Sequence, residues 1–263
     1  MTQNPSTRIQ WLLACSLLLA FGAHAHAADG SAAVESLPPD SQVVRIEARP
    51  AEIELTQPFA YTQLLLTAEL AGGERVDVTR IAELAEASAA VDVSDRRLIR
   101  VKTDGQAELK FTVAGQTVIV PVKVTGQSQD YAASFVREVM PAMSKLGCNA
   151  GTCHGSANGK NGFKLSLRGY DPAFDYQALT DDLGGRRFNR SAPDQSLMLL
   201  KACGGVPHVG GLLTKPGEPY YELIRNWIAA GVKLDLDSPR VKSIAVGPLG
   251  PVIPLPGRKQ QMT

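Results

Sequence analysis

The sequence predicts a multidomain protein, an antiparallel β-sandwich followed by a small all-α domain with long loops. Residues 42–126 contain short runs rich in Val, Ile and Thr that are separated by glycine-containing turns, a pattern typical of strands. After residue 130 the apolar spacing becomes helical, and the stretches between the helices are rich in Gly, Pro and Asn. Two cysteines and a histidine at 148–154 mark the helical part as the candidate functional region.

The N-terminal 27 residues have the layout of a cleavable secretory signal. Arg8 precedes an apolar run over residues 11–23, and Ala25-His26-Ala27 resembles a cleavage site. The run is shorter than the roughly 20 residues that a spanning helix needs. We therefore expect a mature chain without a membrane span, located in the periplasm or outside the cell, with residues 28–41 as a linker.

The charge balance gives no indication of a polyanionic partner. The whole chain carries a formal charge of +1, and Arg8 leaves with the signal. A near-neutral chain lacks the basic surface that nucleic acid or an anionic membrane attracts. We therefore expect no nucleic-acid partner.

The sandwich prediction for residues 42–126 depends on alternation within short runs. Near its end, valines at every second position alternate with Ile119, Pro121 and Lys123, as in a strand with one buried face. The runs are VVRIEA, YTQLLLTAEL, ERVDVT, AVDVS, LIRVKT, AELKFTV and TVIVPVKV. The order and the residue pattern of these runs resemble those of the bacterial immunoglobulin-like domains of group 2.

Two amphipathic helices bound the predicted second domain, residues 130–236. Asp130 is the expected N-terminal cap of the first helix, and Pro141 is expected to kink or restart it. The predicted apolar faces are Phe135, Val139, Met143 and Leu146 in the first helix and Tyr220, Leu223, Ile224, Trp227 and Ile228 in the last.

The C-terminal residues 240–263 are similar in sequence to the first strands of the sandwich. Ile253-x-Leu255 matches Ile53-x-Leu55, and Pro248 matches Pro50. This similarity predicts the start of a second, truncated immunoglobulin-like domain, and the alternative is a simple C-terminal tail.

Three kinds of site fit the motif Cys148-x4-Cys153-His154. In a c-type haem site, both thiols bond to the porphyrin vinyl groups and the adjacent imidazole of His154 is the proximal iron ligand. The usual motif has two residues between the cysteines, whereas this one has four. The alternatives are a zinc site completed by Cys203 or His208 and a plain disulfide.

A family resemblance favours haem. The sequence around the motif is similar to the cytochrome c module of planctomycete-type exported proteins across residues 131–235. The similarity includes the segments FKLSLRGYDP, VPHVGG and LIRNWIAAGV. In that family the extended attachment sequence occurs with these other segments in the same order. The resemblance implies one covalent haem c, electron transfer outside the cytoplasm, and a missing C-terminal region.

His208 is the predicted distal iron ligand, with Met198 or an open, water-filled position as the alternatives. His208 is the one histidine of the expected mature chain outside the motif, and it lies in a Pro- and Gly-rich loop. Met198 lies among leucines, a pattern more typical of core. Ligation by two histidines would give a lower reduction potential than ligation by histidine and methionine.

The sequence thus predicts an electron carrier rather than an enzyme, since no Ser/His/Asp set or paired carboxylates are evident. The expected partner is a redox protein or an appended domain. The alternative function is a cell-surface interaction protein with a disulfide or zinc site in place of haem. Arg186, Arg187 and Arg190 are typical of a solvated basic loop, with haem propionates or a redox partner as alternative contacts.

Overall fold

The computed structural model describes residues 35–182, 185–251, 253 and 258–263. The expected signal sequence and the first part of the linker lie outside these ranges. Residues 35–263 form one compact unit, in which buried apolar side chains gather into two clusters. One cluster lies in the strand-rich part, and the other lies in the part that carries the cysteine motif.

The strand-rich part contains ten strands in the described residues, and most coincide with the predicted runs. They are β1 (Val43–Arg49), β2 (Ile53–Leu55), β3 (Tyr61–Gln63), β4 (Leu65–Leu70), β5 (Arg75–Asp77), β6 (Glu83–Leu84), β7 (Val91–Val93), β8 (Leu98–Val101), β9 (Gly105–Val113) and β10 (Gln116–Val124). The prediction did not include β2 and β6. Both are too short to show an alternating pattern.

The strands form three sheets with the orders β1-β4-β5, β2-β10-β9-β6 and β3-β8-β7. The alternation in β10 is confirmed, because Val120, Val122 and Val124 are buried while Pro121 and Lys123 are exposed. The inner faces of the sheets supply an aliphatic core around Phe111. The sandwich sheets are therefore present as the sequence indicated.

One pairing departs from the predicted antiparallel arrangement. β2 pairs in parallel with the end of β10, from Ile53 opposite Val122 to Leu55 opposite Val124. The chain leaves the β1 sheet after Arg49 and reaches the β10 sheet by Ile53. The β2 segment then runs beside β10 in the same direction.

The part of the chain after β10 contains four α-helices in the described residues. They are α1 (Met140–Lys145), α2 (Pro172–Thr180), α3 (Leu197–Ala202) and α4 (Pro219–Ala229). Single turns of π- or 3-10 helix lie at Phe135–Val139, Leu167–Gly169 and Pro193–Gln195. Within the described ranges, no helix is both long and apolar enough to cross a membrane.

The predicted all-α, cytochrome c-like domain over residues 130–236 is wrong. Its helices are only six to eleven residues long, and the described chain as a whole is mostly β-sheet. Turns and loops fill most of the segment between α1 and α4, with a single β-bridge between Lys160 and Phe163. Glycines and Asn161 with positive φ interrupt helical geometry there.

The beginning of the first helix also differs from the prediction. Ser134, rather than Asp130, is the cap, because its hydroxyl accepts a hydrogen bond from the Arg137 N–H. A π-helical turn comes next, and α1 begins at Met140 with Pro141 in its first turn. The expected restart of the helix at the proline is therefore observed.

Trp227 on α4 forms the centre of the second cluster. Its side chain is fully buried, and its ring centroid lies 5.1 Å from that of Phe135. Tyr176 of α2 contacts the Phe135 ring edge-on at 5.5 Å. The indole N–H donates to the Lys233 carbonyl at 2.9 Å. Elements from both ends of the segment thus meet at one side chain.

The C-terminal residues 240–263 contain no strand in their described positions. Gly247 and Thr263 exchange two backbone hydrogen bonds, and Arg258 donates to the carbonyl oxygen of Asp77. This segment therefore contacts the strand-rich part. A second immunoglobulin-like domain beginning here stays a prediction.

Substitution of Trp227 should strongly destabilise the protein. We expect Trp227→Ala to lower the free energy of unfolding by about 3–5 kcal/mol because it leaves a large cavity. Trp227→Phe keeps the stacking on Phe135 but loses the hydrogen bond to Lys233. We expect that loss to lower the free energy of unfolding by about 1 kcal/mol. Denaturant unfolding followed by circular dichroism would measure both, and equal costs would contradict this account.

Candidate functional site

The residues between the two motif cysteines form compact turns. Cys148 N–H donates to the Met143 carbonyl at the end of α1, and Cys153 N–H donates to the Ala150 carbonyl. His154 N–H then donates to the Cys148 carbonyl at 3.0 Å. This last bond brings the backbone of His154 back beside the first cysteine. The four intervening residues therefore leave the ends of the motif close together.

Gly155 permits this folded arrangement. A Cβ atom at this position would lie 2.1 Å from the Asn149 carbonyl oxygen, which is far inside van der Waals contact. Asn149 is itself buried, and its side-chain amide donates to the Ser144 hydroxyl at 2.8 Å. The loop thus packs on the chain that precedes it, and a side chain at Gly155 would force the two apart.

The imidazole of His154 is held by the backbone. Its Nδ1 lies 3.1 Å from the Phe163 carbonyl oxygen, and the Leu165 N–H donates to the His154 carbonyl at 2.8 Å. A carbonyl oxygen only accepts hydrogen bonds, so Nδ1 carries the proton and Nε2 has the free lone pair. Burial lowers the pKa of His154, which favours the neutral ring. Metal-binding histidines commonly have this arrangement.

A second imidazole lies parallel to the first. The rings of His154 and His208 have centroids 6.4 Å apart and planes that differ by 5°. Two imidazoles on opposite faces of one metal have centroids about 6 Å apart, since each metal–nitrogen bond is about 2 Å and each ring adds about 1 Å. The centroid spacing of His154 and His208 is close to that distance.

The loop that carries His208 is fastened to α3. Lys201 donates to the Pro207 carbonyl at 2.6 Å, and Val206 N–H donates to the Leu200 carbonyl at 3.2 Å. The backbone at Gly210 lies against the ring, because a Cβ there would be 2.7 Å from His208 Cε1. Nδ1 of His208 is buried without a hydrogen-bond partner. Only a partner that bonds to Nδ1 itself would satisfy this atom, since a metal on Nε2 leaves it unpaired.

Met198, the alternative distal ligand, lies on α3. Its side chain packs against the cluster around Trp227. Its backbone N–H donates to the Arg187 carbonyl at 2.9 Å. The ring that the structure places parallel to His154 thus comes from His208, while the thioether of Met198 contributes to packing.

The cysteines of the described residues, Cys148, Cys153 and Cys203, are free thiols. Burial, with a smaller contribution from the nearby Cys153, raises the pKa of Cys148 to about 11. Cys203 packs against the second cluster, and its thiol approaches the Leu200 carbonyl. No group of three or more His, Cys, Asp or Glu side chains in the described ranges could hold a metal ion.

Several large apolar side chains near the motif face solvent. Val209 next to His208 is fully exposed, and Leu212 in the same loop and Leu167 are more than half exposed. Leu167 extends towards the motif, since a Cβ on Gly151 would contact it at 3.7 Å. Exposed apolar groups close to functional side chains are typical of a surface that binds an apolar ligand.

Two features of the site were not predicted from the sequence, the backbone acceptor for His154 and the burial of Arg187. The Phe163 carbonyl fixes the His154 ring, and a backbone acceptor leaves no mark in the residue types. Arg187 is buried rather than solvated, with its guanidinium 4.0 Å from the Phe163 ring centroid. A run of arginines in a polar loop gave no sign of that burial.

A scan of this chain against protein-family models finds no match, and a search of curated proteins finds no significant match either.

The thiol of Cys148 should be unusually unreactive in the folded chain. With its pKa raised to about 11, little thiolate is present at neutral pH, and alkylation should increase only as the pH approaches that value. Haem-free, reduced protein would be treated with iodoacetamide between pH 7 and 11, and modification of the Cys148 peptide followed by mass spectrometry. The denatured protein is the control, and an identical pH profile in both states would contradict the burial effect.

Proposed function

We propose that this chain is an exported single-electron carrier with one covalent haem c. Cys148 and Cys153 would hold the porphyrin, His154 would be the proximal iron ligand and His208 the distal one. The observation that supports this most directly is the parallel pair of imidazoles, 6.4 Å apart, one of which presents Nε2 through its bond to Phe163. The proposal concerns the site alone, since the fold around it is not an all-α cytochrome.

The thiols and imidazoles have separate tasks in this proposal. Cys148 and Cys153 would hold the haem through thioether bonds, each formed by addition of an S–H across one vinyl group without net oxidation. That reaction needs reduced thiols, in agreement with the free state of both cysteines. The hydrogen bond from His154 to Phe163 makes the imidazole a stronger and better oriented ligand.

Ligation by two histidines would give the haem a lower reduction potential than ligation by histidine and methionine. The haem supplies one-electron chemistry, and its axial ligands set the potential. Since His208 would occupy the second axial position, the site would bind no substrate at the metal. The chain would therefore transfer electrons rather than activate a small molecule.

The strand-rich part would act as a spacer or docking domain in this proposal. Its apolar side chains are used in its own core, and the rings of Phe59 and Tyr131 meet at 5.9 Å where it joins the second part. The electron partner would be another redox protein or an appended domain, and the location would be periplasmic or extracellular.

Covalent haem attachment is the first test. The full chain produced together with cytochrome maturation proteins should gain the mass of one haem and give a haem stain after denaturing electrophoresis. The Cys148→Ser/Cys153→Ser double variant should lose the stain, and Cys203→Ser should keep it. A colourless parent protein would contradict the proposal and favour a disulfide-containing interaction protein.

The distal ligand can be tested on the loaded protein. His208→Met should raise the reduction potential, because methionine in place of histidine favours the reduced state. The parent protein should give a rhombic low-spin EPR signal, since parallel imidazole planes make two iron d orbitals unequal. The control is Val209→Ala in the same loop. An unchanged potential in His208→Met would show that His208 is not a ligand.

A further inference from the structure

Arg187 is a buried cation beside the proposed haem site. Only 6% of the residue is exposed, and its guanidinium lies over the Phe163 ring at 4.0 Å. Phe163 in turn contacts His154, with ring centroids 4.6 Å apart. The Phe163 ring thus contacts both the guanidinium and the imidazole.

No carboxylate in the described part of the chain forms an ion pair with Arg187; burial lowers the pKa of its guanidinium, and the more distant charge of Asp182 offsets this only in part. One of its terminal nitrogens donates to the Asp182 carbonyl at 2.9 Å. The ion pairs of the described residues involve other arginines and a lysine. A guanidinium has five N–H donors, and burying such a charge without an opposite charge is costly. A bound carboxylate would offset that cost.

Backbone hydrogen bonds connect Arg187 through α3 to the loop that carries His208. The carbonyl of Arg187 accepts from Met198 N–H at the beginning of α3, and the other end of α3 holds the His208 loop through Lys201 and Pro207. Arg186, its neighbour, is exposed to solvent. The two adjacent arginines therefore differ in burial.

We propose that Arg187 binds a carboxylate of the ligand that occupies the His154–His208 site. This inference rests on the proposed function, and for haem the group would be a propionate. Arg187 forms a charge-assisted hydrogen bond with it, using the donors that Asp182 leaves free. The stacking on Phe163 holds the guanidinium in position and shields it from water.

The test compares two porphyrins that differ only at the carboxylates. The full chain carrying Cys148→Ser and Cys153→Ser would be titrated with ferric protoporphyrin IX and with its dimethyl ester, and binding followed by absorbance. We expect the free acid to bind about tenfold more tightly than the ester, the difference expected for one charge-assisted hydrogen bond. Adding Arg187→Gln should remove most of this preference, and adding Arg186→Gln should leave it.

The other outcomes have distinct meanings. Equal affinities for acid and ester in the starting protein, or a preference that survives Arg187→Gln, would overturn the carboxylate assignment. An equal loss for both porphyrins in Arg187→Gln would overturn it as well, since Arg187 would then only hold Phe163 in place. If neither porphyrin binds to the starting protein while circular dichroism shows it folded, the haem site itself is refuted and the assignment falls with it.

Discussion

The hydrogen bond from His154 to the Phe163 carbonyl is the interaction on which the candidate site depends. It selects the tautomer of the ring, and it joins the cysteine motif to the next segment of chain. The Phe163 ring also forms the surface on which Arg187 lies. A displacement of this one residue would therefore alter the imidazole and the buried guanidinium together.

The site is assembled largely by loops, which need other sources of rigidity. The motif is tied to α1 by the Cys148 amide and closed by the His154 amide, while the second histidine is fastened to α3. Below these loops, the apolar cluster around Trp227 provides a fixed base. Loop-borne function on a rigid support is common in proteins, and here the support combines short helices with a tightly packed aromatic group.

The sequence predicted those features that are local in the chain. Strands with alternating burial, such as β10, were found because the pattern repeats every second residue. The parallel pairing of β2 depends on which sheet this three-residue strand joins, and the local sequence pattern does not determine that. The all-α prediction rested on two amphipathic helices joined by long loops, whereas the helices of this part are short and the described chain is richer in strand than in helix. Of the site, the adjacent Cys153 and His154 were evident, whereas the burial of Arg187 required the folded chain.

The short helix α3 acts as a spacer of fixed length between its two attachments. Its first turn is bonded to the Arg187 carbonyl, and Lys201 near its end is bonded to the Pro207 carbonyl. One residue more or fewer in such a helix rotates the chain beyond its C-terminal end by about 100° around the helix axis. An insertion or deletion between Leu197 and Ala202 would thus swing His208 out of alignment even if every side chain of the site were retained. Homologous chains that keep both histidines should accordingly vary in loop length elsewhere and preserve the length of this helix.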